Sequence, residues 1–342
     1  MDRRRFVKTL GSLSGSLLLH EPALGQGDPQ DAASAVKDPD TPAVPEKRSE
    51  RIGHLVIIGG AEDRKNDKAL LRRFVELTGV DDPLVIVITA ASAYQDEIWQ
   101  VYEPAFRRLG VKRLVRLEIE SRADANNKDL ARRVFEADGV FITGGDQQRL
   151  MSTVGGTYTA EAIFRAFRER GICVGGTSAG AAVMSLHMIA DGQGKQLPGK
   201  GNATMSAGLG LVRGAIIDQH FSQRQRLGRL LSLVAQAPFL LGVGIDENTA
   251  LVIERGRGLE VIGQGAITII DGGNMTSNFF DIGSRELLEM LNIKMHLLPG
   301  GARYYLTNPR GTVADEERSR QSASAGAIPA SLQGVVSILT DM

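Results

Sequence analysis

Gly176-Thr177-Ser178-Ala179-Gly180 sets a serine between two glycines, with the apolar Cys173-Val174 before it and the small-residue run Ala181-Ala182-Val183-Met184 after it. That is the pattern of a nucleophile elbow, a sharp strand-to-helix turn that pushes the central hydroxyl out of a sheet. A hydroxyl attacks a carbonyl only when a base takes its proton, normally a histidine oriented by a carboxylate. The chain has five histidines. His20 falls in the first 25 residues, His54 opens an apolar run, and His187 is expected on the helix leaving the elbow or just after it. His296 sits among apolar residues. His220 follows Ile216-Ile217 in the polar cluster Asp218-Gln219-His220, where the chain leaves a strand at its carboxyl end, and it is the candidate base. The candidate acid closes the apolar segment Phe239 to Ile245, and either Asp246 or Glu247 can serve. The order serine, histidine, acid differs from that of α/β-hydrolases, in which the acid precedes the histidine. A phosphate-binding turn is the other use of glycines at a helix start, but no G-x-G-x-x-G and no Walker lysine follows any expected strand.

These residues need strands and helices to bring them together. His54 to Ile58, Pro83 to Thr89, Arg113 to Leu117, Gly139 to Gly145 and a run ending at Cys173-Val174-Gly175-Gly176 read as five strands. Runs apolar on both faces belong to a parallel sheet covered by helices. Helical spacing between them, as in Leu70, Leu71, Phe74, Val75 and Leu77 or around Ile163, Phe164 and Phe167, completes a doubly wound, mostly parallel α/β sheet. Ligands of such folds lie beyond the carboxyl ends of the strands. After Ser185 the pattern loosens. Residues 191–210 are expected to form a long loop, Ala215-Ile216-Ile217 a short strand, and Leu227, Leu230, Leu231 and Val234 one helix face. Ala250–Ile253 and Leu259–Ile262 read as an antiparallel hairpin, and 266–273 with 294–298 as strands finishing the same sheet.

Forty Lys+Arg balance forty Asp+Glu, so no bulk field draws the chain to nucleic acid or an anionic membrane surface. One cysteine excludes an internal disulfide and a thiolate metal cluster. Arg3-Arg4-Arg5, the diluted apolar stretch Leu10 to Leu19 and the small residues Ala23-Leu24-Gly25 form an expected signal peptide of twin-arginine type over 1–25. The stretch is short of the ~20 residues of a membrane span, so the mature form is expected off the membrane, periplasmic or extracellular. Residues 26–50 read as a solvated linker, 51–311 as the catalytic domain, and 312–342 as a loosely held C-terminal extension.

Five motifs occur in order: Ile58-Gly59-Gly60-Ala61-Glu62-Asp63, Thr143-Gly144-Gly145-Asp146-Gln147, Gly175 to Ala181 around the serine, Asp218-Gln219-His220-Phe221 with Arg224, Arg226 and Arg229, and Gly244-Ile245-Asp246-Glu247. Together, over about residues 52–310, they resemble the cyanophycinase family of serine exopeptidases. The resemblance implies a class I glutamine amidotransferase-like (flavodoxin-like) fold, shared with aspartyl dipeptidases. It implies Ser178 as nucleophile, His220 as base and Glu247 as acid, and a substrate pocket at Gln147, Asp218, Gln219, Arg224, Arg226 and Arg229. It also implies a homodimer without metal or cofactor, acting on cyanophycin, a polyaspartate carrying arginines, and releasing β-aspartyl-arginine through an acyl-enzyme.

The expected oxyanion donors are the N–H of Ala179 and one from the Gly59-Gly60 turn, at Gly60. Each polymer residue presents a guanidinium and a carboxylate, which call for an acid and for arginines. Without the resemblance, the three arginines read as an exposed basic face of the helix bearing Leu227 and Leu230. The competing functions are an aspartyl dipeptidase of the same fold and a noncatalytic ligand-binding protein that keeps the elbow. An amidotransferase is disfavoured, because serine stands where those enzymes carry cysteine.

Overall fold

The structure, a computed structural model, describes residues 51–194, 197–306 and 328–342. The expected signal segment and linker, and residues 312–327 of the C-terminal extension, lie outside the described residues. From the first motif to the elbow the chain runs β1 (His54–Ile58), α1 (Ala69–Glu76), β2 (Leu84–Ile88), α2 (Gln95–Arg108), β3 (Arg113–Leu117), α3 (Arg122–Ala125), α4 (Lys128–Glu136), β4 (Gly139–Ile142), α5 (Gln147–Val154), α6 (Tyr158–Arg165), β5 (Cys173–Thr177) and α7 (Ala179–Ala182). It continues as β6 (His187–Gly192), β7 (Ala203–Ala207), β8 (Ala215–Gln219), α8 (Leu227–Gln236), β9 (Leu241–Ile245), β10 (Thr249–Glu254), β11 (Gly258–Gly263), β12 (Ala266–Asp271), β13 (Thr276–Ser277), β14 (Met290–Leu291), β15 (Lys294–Pro299) and β16 (Arg303–Tyr305). A C-terminal helix spans Ala330–Thr340.

The main sheet has the order β16-β11-β10-β1-β5-β4-β2-β3. Strands β1, β5, β4, β2 and β3 are parallel, and β10 continues the sheet antiparallel to β1. Alternation along β1 serves both faces. Val56 and Ile58 join a core with Phe74 of α1 and Phe106 of α2, while Leu55 and Ile57 join one with Val134 of α4 and Ile163 of α6. Glycine at 175 is required by that packing, since a β-carbon there would lie 2.6 Å from the Phe74 ring and 2.8 Å from the Phe141 ring. The register pairs Ile58 with Thr177 and Ile142 with Gly176. The loops after β1, β5 and β4 therefore leave the sheet side by side.

Strands 266–271 and 294–299 do not finish the main sheet. They form a second one, β15-β12-β9-β8. The physical reason is two-sided burial: Ile216 and Ile270 pack with Leu230, Leu233 and Val234 of α8, whereas Ile217, Val243 and Ile269 face the core shared with β10 and β11. In this sheet β8 and β9 are parallel, with Gln219 opposite Ile245, so His220 and the acids after Ile245 also emerge together.

Two further expectations change. The expected 191–210 loop is in part strand, with 191–192 in β6 and 203–207 in β7, and His187, expected on the helix after the elbow or just beyond it, opens β6. Ile189, Ala203 and Met205 of the hairpin pack against the α8 core, which is what orders this Gly-rich stretch. The end of the C-terminal extension is held as well. Leu332, Val335, Val336 and Leu339 recur at helical spacing and are buried, and Gly256 N–H donates to the Thr340 carbonyl at 3.0 Å. No helix among the described residues is long and apolar enough to cross a membrane.

Candidate active site

Ser178 stands at the end of β5 with φ 53° and ψ −113°. A non-glycine residue held there stores about 1–3 kcal/mol of strain that the surroundings must offset. They do so through glycine: a β-carbon at 176 would lie 2.4 Å from the Gly180 carbonyl oxygen, and one at 180 would lie 2.2 Å from that of Ile142. The elbow thus needs small residues at both flanks for steric reasons. Ser178 N–H donates to the Ile58 carbonyl at 3.0 Å, which fixes the turn to β1. Its carbonyl accepts from Ala181 and Ala182 at 3.0 Å each, leaving the N–H of Ala179 without a protein acceptor among the described residues.

His220 Nε2 lies 2.9 Å from Ser178 Oγ, and its Nδ1 lies 2.6 Å from Glu247 Oε1. The imidazole is held from behind: His220 N–H donates to the Gly59 carbonyl at 2.7 Å, and a β-carbon on Gly60 would come within 2.3 Å of the ring. The choice between the two acids is made by direction. Asp246 accepts from the N–H of Ser222 and of Ala266, at 3.1 Å each, and so pins the turn, while Glu247 reaches the imidazole. Burial lowers the His220 pKa below its ordinary value; the bond to Glu247 opposes that shift and the Arg224 guanidinium adds to it. The ring is therefore neutral, and able to accept a proton, at neutral pH. Ala61, Ser178, His220, Gln225 and Asn248, in or beside the four loops that build this corner, all carry positive φ. Such strain clusters where geometry is imposed for function.

The other candidates fall elsewhere. His54 is half-buried at the amino end of β1, His187 stacks edge-on against Phe239 with centroids 6.3 Å apart, and His296 lies on β15 opposite Ile269. Cys173 is wholly buried on β5, and burial pushes its thiol well above the usual range, away from thiolate chemistry.

Of the residues expected to bind substrate, most are engaged by the protein itself. Asp218 is 1% exposed and meets Arg229 through both carboxylate oxygens, with Nε to Oδ2 at 2.7 Å and a second bond from Nη2 to Oδ1. Arg226 Nη1 adds a bond to Asp218 at 3.3 Å and one to Gln219 Oε1 at 2.5 Å. Burial pulls the Arg226 pKa down to about 10 in spite of Asp218. This corrects the picture of an exposed basic helix face, because Arg226 is 9% and Arg229 4% exposed. A buried carboxylate without such partners would carry a large desolvation cost. Gln147 donates its amide to the carbonyls of Ile189 and Ala190, at 3.2 and 3.1 Å, and ties α5 to β6. Arg224 alone of the cluster is exposed, with no side-chain partner among the described residues.

Two features of this corner were not singled out from the sequence. Gly144 lies against the nucleophile, since a β-carbon there would be 3.4 Å from Ser178 Cβ. Glu62, in the loop after β1, is buried against Thr177 and Tyr102. The T-G-G-D and G-G-A-E motifs were the only signals pointing to either.

Residues 55–261 match peptidase family S51. The cyanophycinase of Geminocystis herdmanii is 38% identical over 251 residues, covering 73% of this chain and 92% of that protein. That of Trichormus variabilis is 38% identical over 253 residues, 74% of this chain and 85% of the relative. Among solved structures, a peptidase from an acI-B1 Actinobacterium superposes with a TM-score of 0.58 at 22% identity, over 76% of this chain and 99% of that one. At that identity the likeness speaks for the fold.

Proposed function

The chain belongs to peptidase family S51, and on that footing we propose that it is a cyanophycinase-like serine peptidase working through Ser178, His220 and Glu247. The observation that carries this is the unbroken line Ser178 Oγ–His220 Nε2–Nδ1–Glu247 Oε1, at 2.9 and 2.6 Å.

Nε2 takes the hydroxyl proton as Oγ bonds to the backbone carbonyl carbon, and Glu247 offsets the imidazolium charge. The C–N bond then breaks as Nε2 returns the proton to the departing amine, which leaves an acyl-ester on Ser178. Water repeats the cycle, giving its proton to Nε2 and freeing the carboxylate. The tetrahedral oxyanion is assigned to the N–H of Ala179 and one from the Gly144-Gly145 turn, each donor being worth about 3 kcal/mol. Gly60, expected from the sequence to be the second donor, backs the imidazole, and an oxyanion forms on the side of the serine away from the base.

Cyanophycin is the proposed substrate, with release of β-aspartyl-arginine. Support comes from the relatives, which carry the name cyanophycinase at 38% identity, and from Arg224, an exposed cation whose backbone N–H donates to the His220 carbonyl at 3.1 Å and whose charge suits a substrate carboxylate. Incubating residues 51–342 with cyanophycin and with Asp-X dipeptides, and weighing the products by mass spectrometry, tests the proposal. Release of β-aspartyl-arginine supports it; cleavage of the dipeptides alone makes the chain an aspartyl dipeptidase instead. Export and homodimerisation belong to the same proposal. They rest on Arg3-Arg4-Arg5 with the apolar Leu10–Leu19 stretch and on the family resemblance, and are checked by cell fractionation and by sedimentation of the mature chain.

A further inference from the structure

The loop after β1 contributes no atom to the proton path, yet it touches every segment that does. The Gly59 carbonyl accepts from His220 N–H at 2.7 Å. Gly60 packs on the imidazole, and its carbonyl accepts from Asn248, the residue after Glu247, at 2.8 Å. Asp63 N–H donates to Asn248 Oδ1 at 3.1 Å. The fourth contact is a side chain. Glu62, 3% exposed, accepts from Thr177 Oγ1 at 2.5 Å, and Thr177 is the residue before the nucleophile. Its other carboxylate oxygen accepts from Tyr102 Oη, contributed by α2. Arg64 closes the group, 4.0 Å from Glu62 and 3.4 Å from Tyr102 Oη.

A carboxylate at this depth is costly to keep, and a hydrocarbon would fill the space beneath the elbow more cheaply. What a hydrocarbon cannot supply is direction. Between them the two oxygens of Glu62 accept one hydroxyl from the elbow strand and one from the helix layer, so the loop is located against both. Ala61, at φ 50°, is held in a conformation that a loop free to relax would leave. Burial pushes the Tyr102 phenol well above its ordinary range, which keeps it a donor.

We propose that Glu62 is a positioning residue for the proposed hydrolysis, locking the Gly59–Asp63 loop to Thr177 so that the loop's backbone aims His220 at Ser178. The proposal rests on the assignment of Ser178 as nucleophile, and its test separates the two. Labelling of Ser178 by a fluorophosphonate reads the reactivity of the serine without any peptide substrate. The parent chain should be labelled; if it is not, the nucleophile assignment fails and the positioning role falls with it.

Given labelling of the parent, Glu62→Gln should slow it about 100-fold, the loss expected when a reacting pair is displaced by an ångström. Thr177→Val, which keeps the shape and removes the hydroxyl, should slow it about tenfold, and Thr177→Ser, which keeps the hydroxyl, should recover the rate. The threonine pair decides the matter if Glu62→Gln fails to fold. In rate against pH, the plateau should drop while the acid limb stays in place, because geometry is lost while Glu247, Arg224 and Arg226, the charged groups that act on His220, are all retained. Folded variants labelled at the parental rate, with only thermal stability reduced, would overturn the proposal and leave Glu62 a packing residue. A displaced limb on an undiminished plateau would overturn it too.

Discussion

Strand β8 ends by delivering two neighbouring polar regions that have opposite character. Asp218, facing α8, is enclosed: its carboxylate is matched by two arginines, and the group is almost wholly removed from water. His220, two residues on, is held in a left-handed conformation against a serine that shares that strain, and the N–H at Ala179 beside it has no acceptor among the described residues. The saturated region fixes the strand end and the start of α8. The unsaturated one keeps donors and acceptors in reserve for a transition state, which is where binding energy accelerates a reaction. A polar cluster is thus better judged by what remains unpaired than by how many charges it holds.

The comparison breaks most visibly at the serine. Ser178→Ala should lower hydrolysis of cyanophycin by about 10⁶-fold with thermal unfolding little changed, as followed by product release and calorimetry; near-parental activity would remove the serine from the mechanism. Glu247→Gln keeps the shape but loses the charge that orients and balances the imidazole, and a fall in kcat of about 10⁴-fold is expected. On the saturated side the loss should appear as stability. Asp218→Ala strands Arg226 and Arg229 without their carboxylate and should cost about 3–5 kcal/mol in urea unfolding; a neutral result would mean that the cluster is open to water.

The smallest effects lie where the two regions meet, at Arg224. Arg224→Ala should raise KM about tenfold if the guanidinium holds a substrate carboxylate. It should also move the pH profile in a fixed direction. His220 must be neutral to act as a base, so kcat/KM falls as pH drops through its pKa, and that limb lies below the ordinary imidazole value of 6.5. Removing Arg224 removes one of the influences that lower this pKa, so the limb should shift to higher pH. A limb that stays in place would place the guanidinium too far away to be felt.

The parallel half of the fold was legible residue by residue. Strands β1 to β5 were marked by apolar runs, with glycine pairs closing those of β1, β4 and β5, and the elbow by its flanking glycines, because these signals are local and steric. Legibility ended where partners came from a distance. The β6–β7 hairpin reads as a polar Gly-rich loop until its few apolar residues meet the α8 core. The C-terminal helix was hidden by the charged and Ser-rich residues before it, although Leu332, Val335, Val336 and Leu339 carried the helical period. The division of the later strands between two sheets had no signal in periodicity, since a run apolar on both faces, as in β8 and β9, carries no mark of which strand lies beside it.

What the sequence by itself determined was the identity of the reactive groups and the side of the sheet on which they lie, since elbow stereochemistry and strand polarity are properties of the backbone. The family resemblance pointed to Glu247, but only the tertiary structure shows why it and not Asp246 meets the imidazole, and that Asp218 is engaged by Arg226 and Arg229. Those outcomes depend on the direction each side chain takes from its turn and on partners separated along the chain, by 42 residues for Ser178 and His220 and by 27 for His220 and Glu247. Pairing over such separations is fixed by packing, which no local pattern encodes.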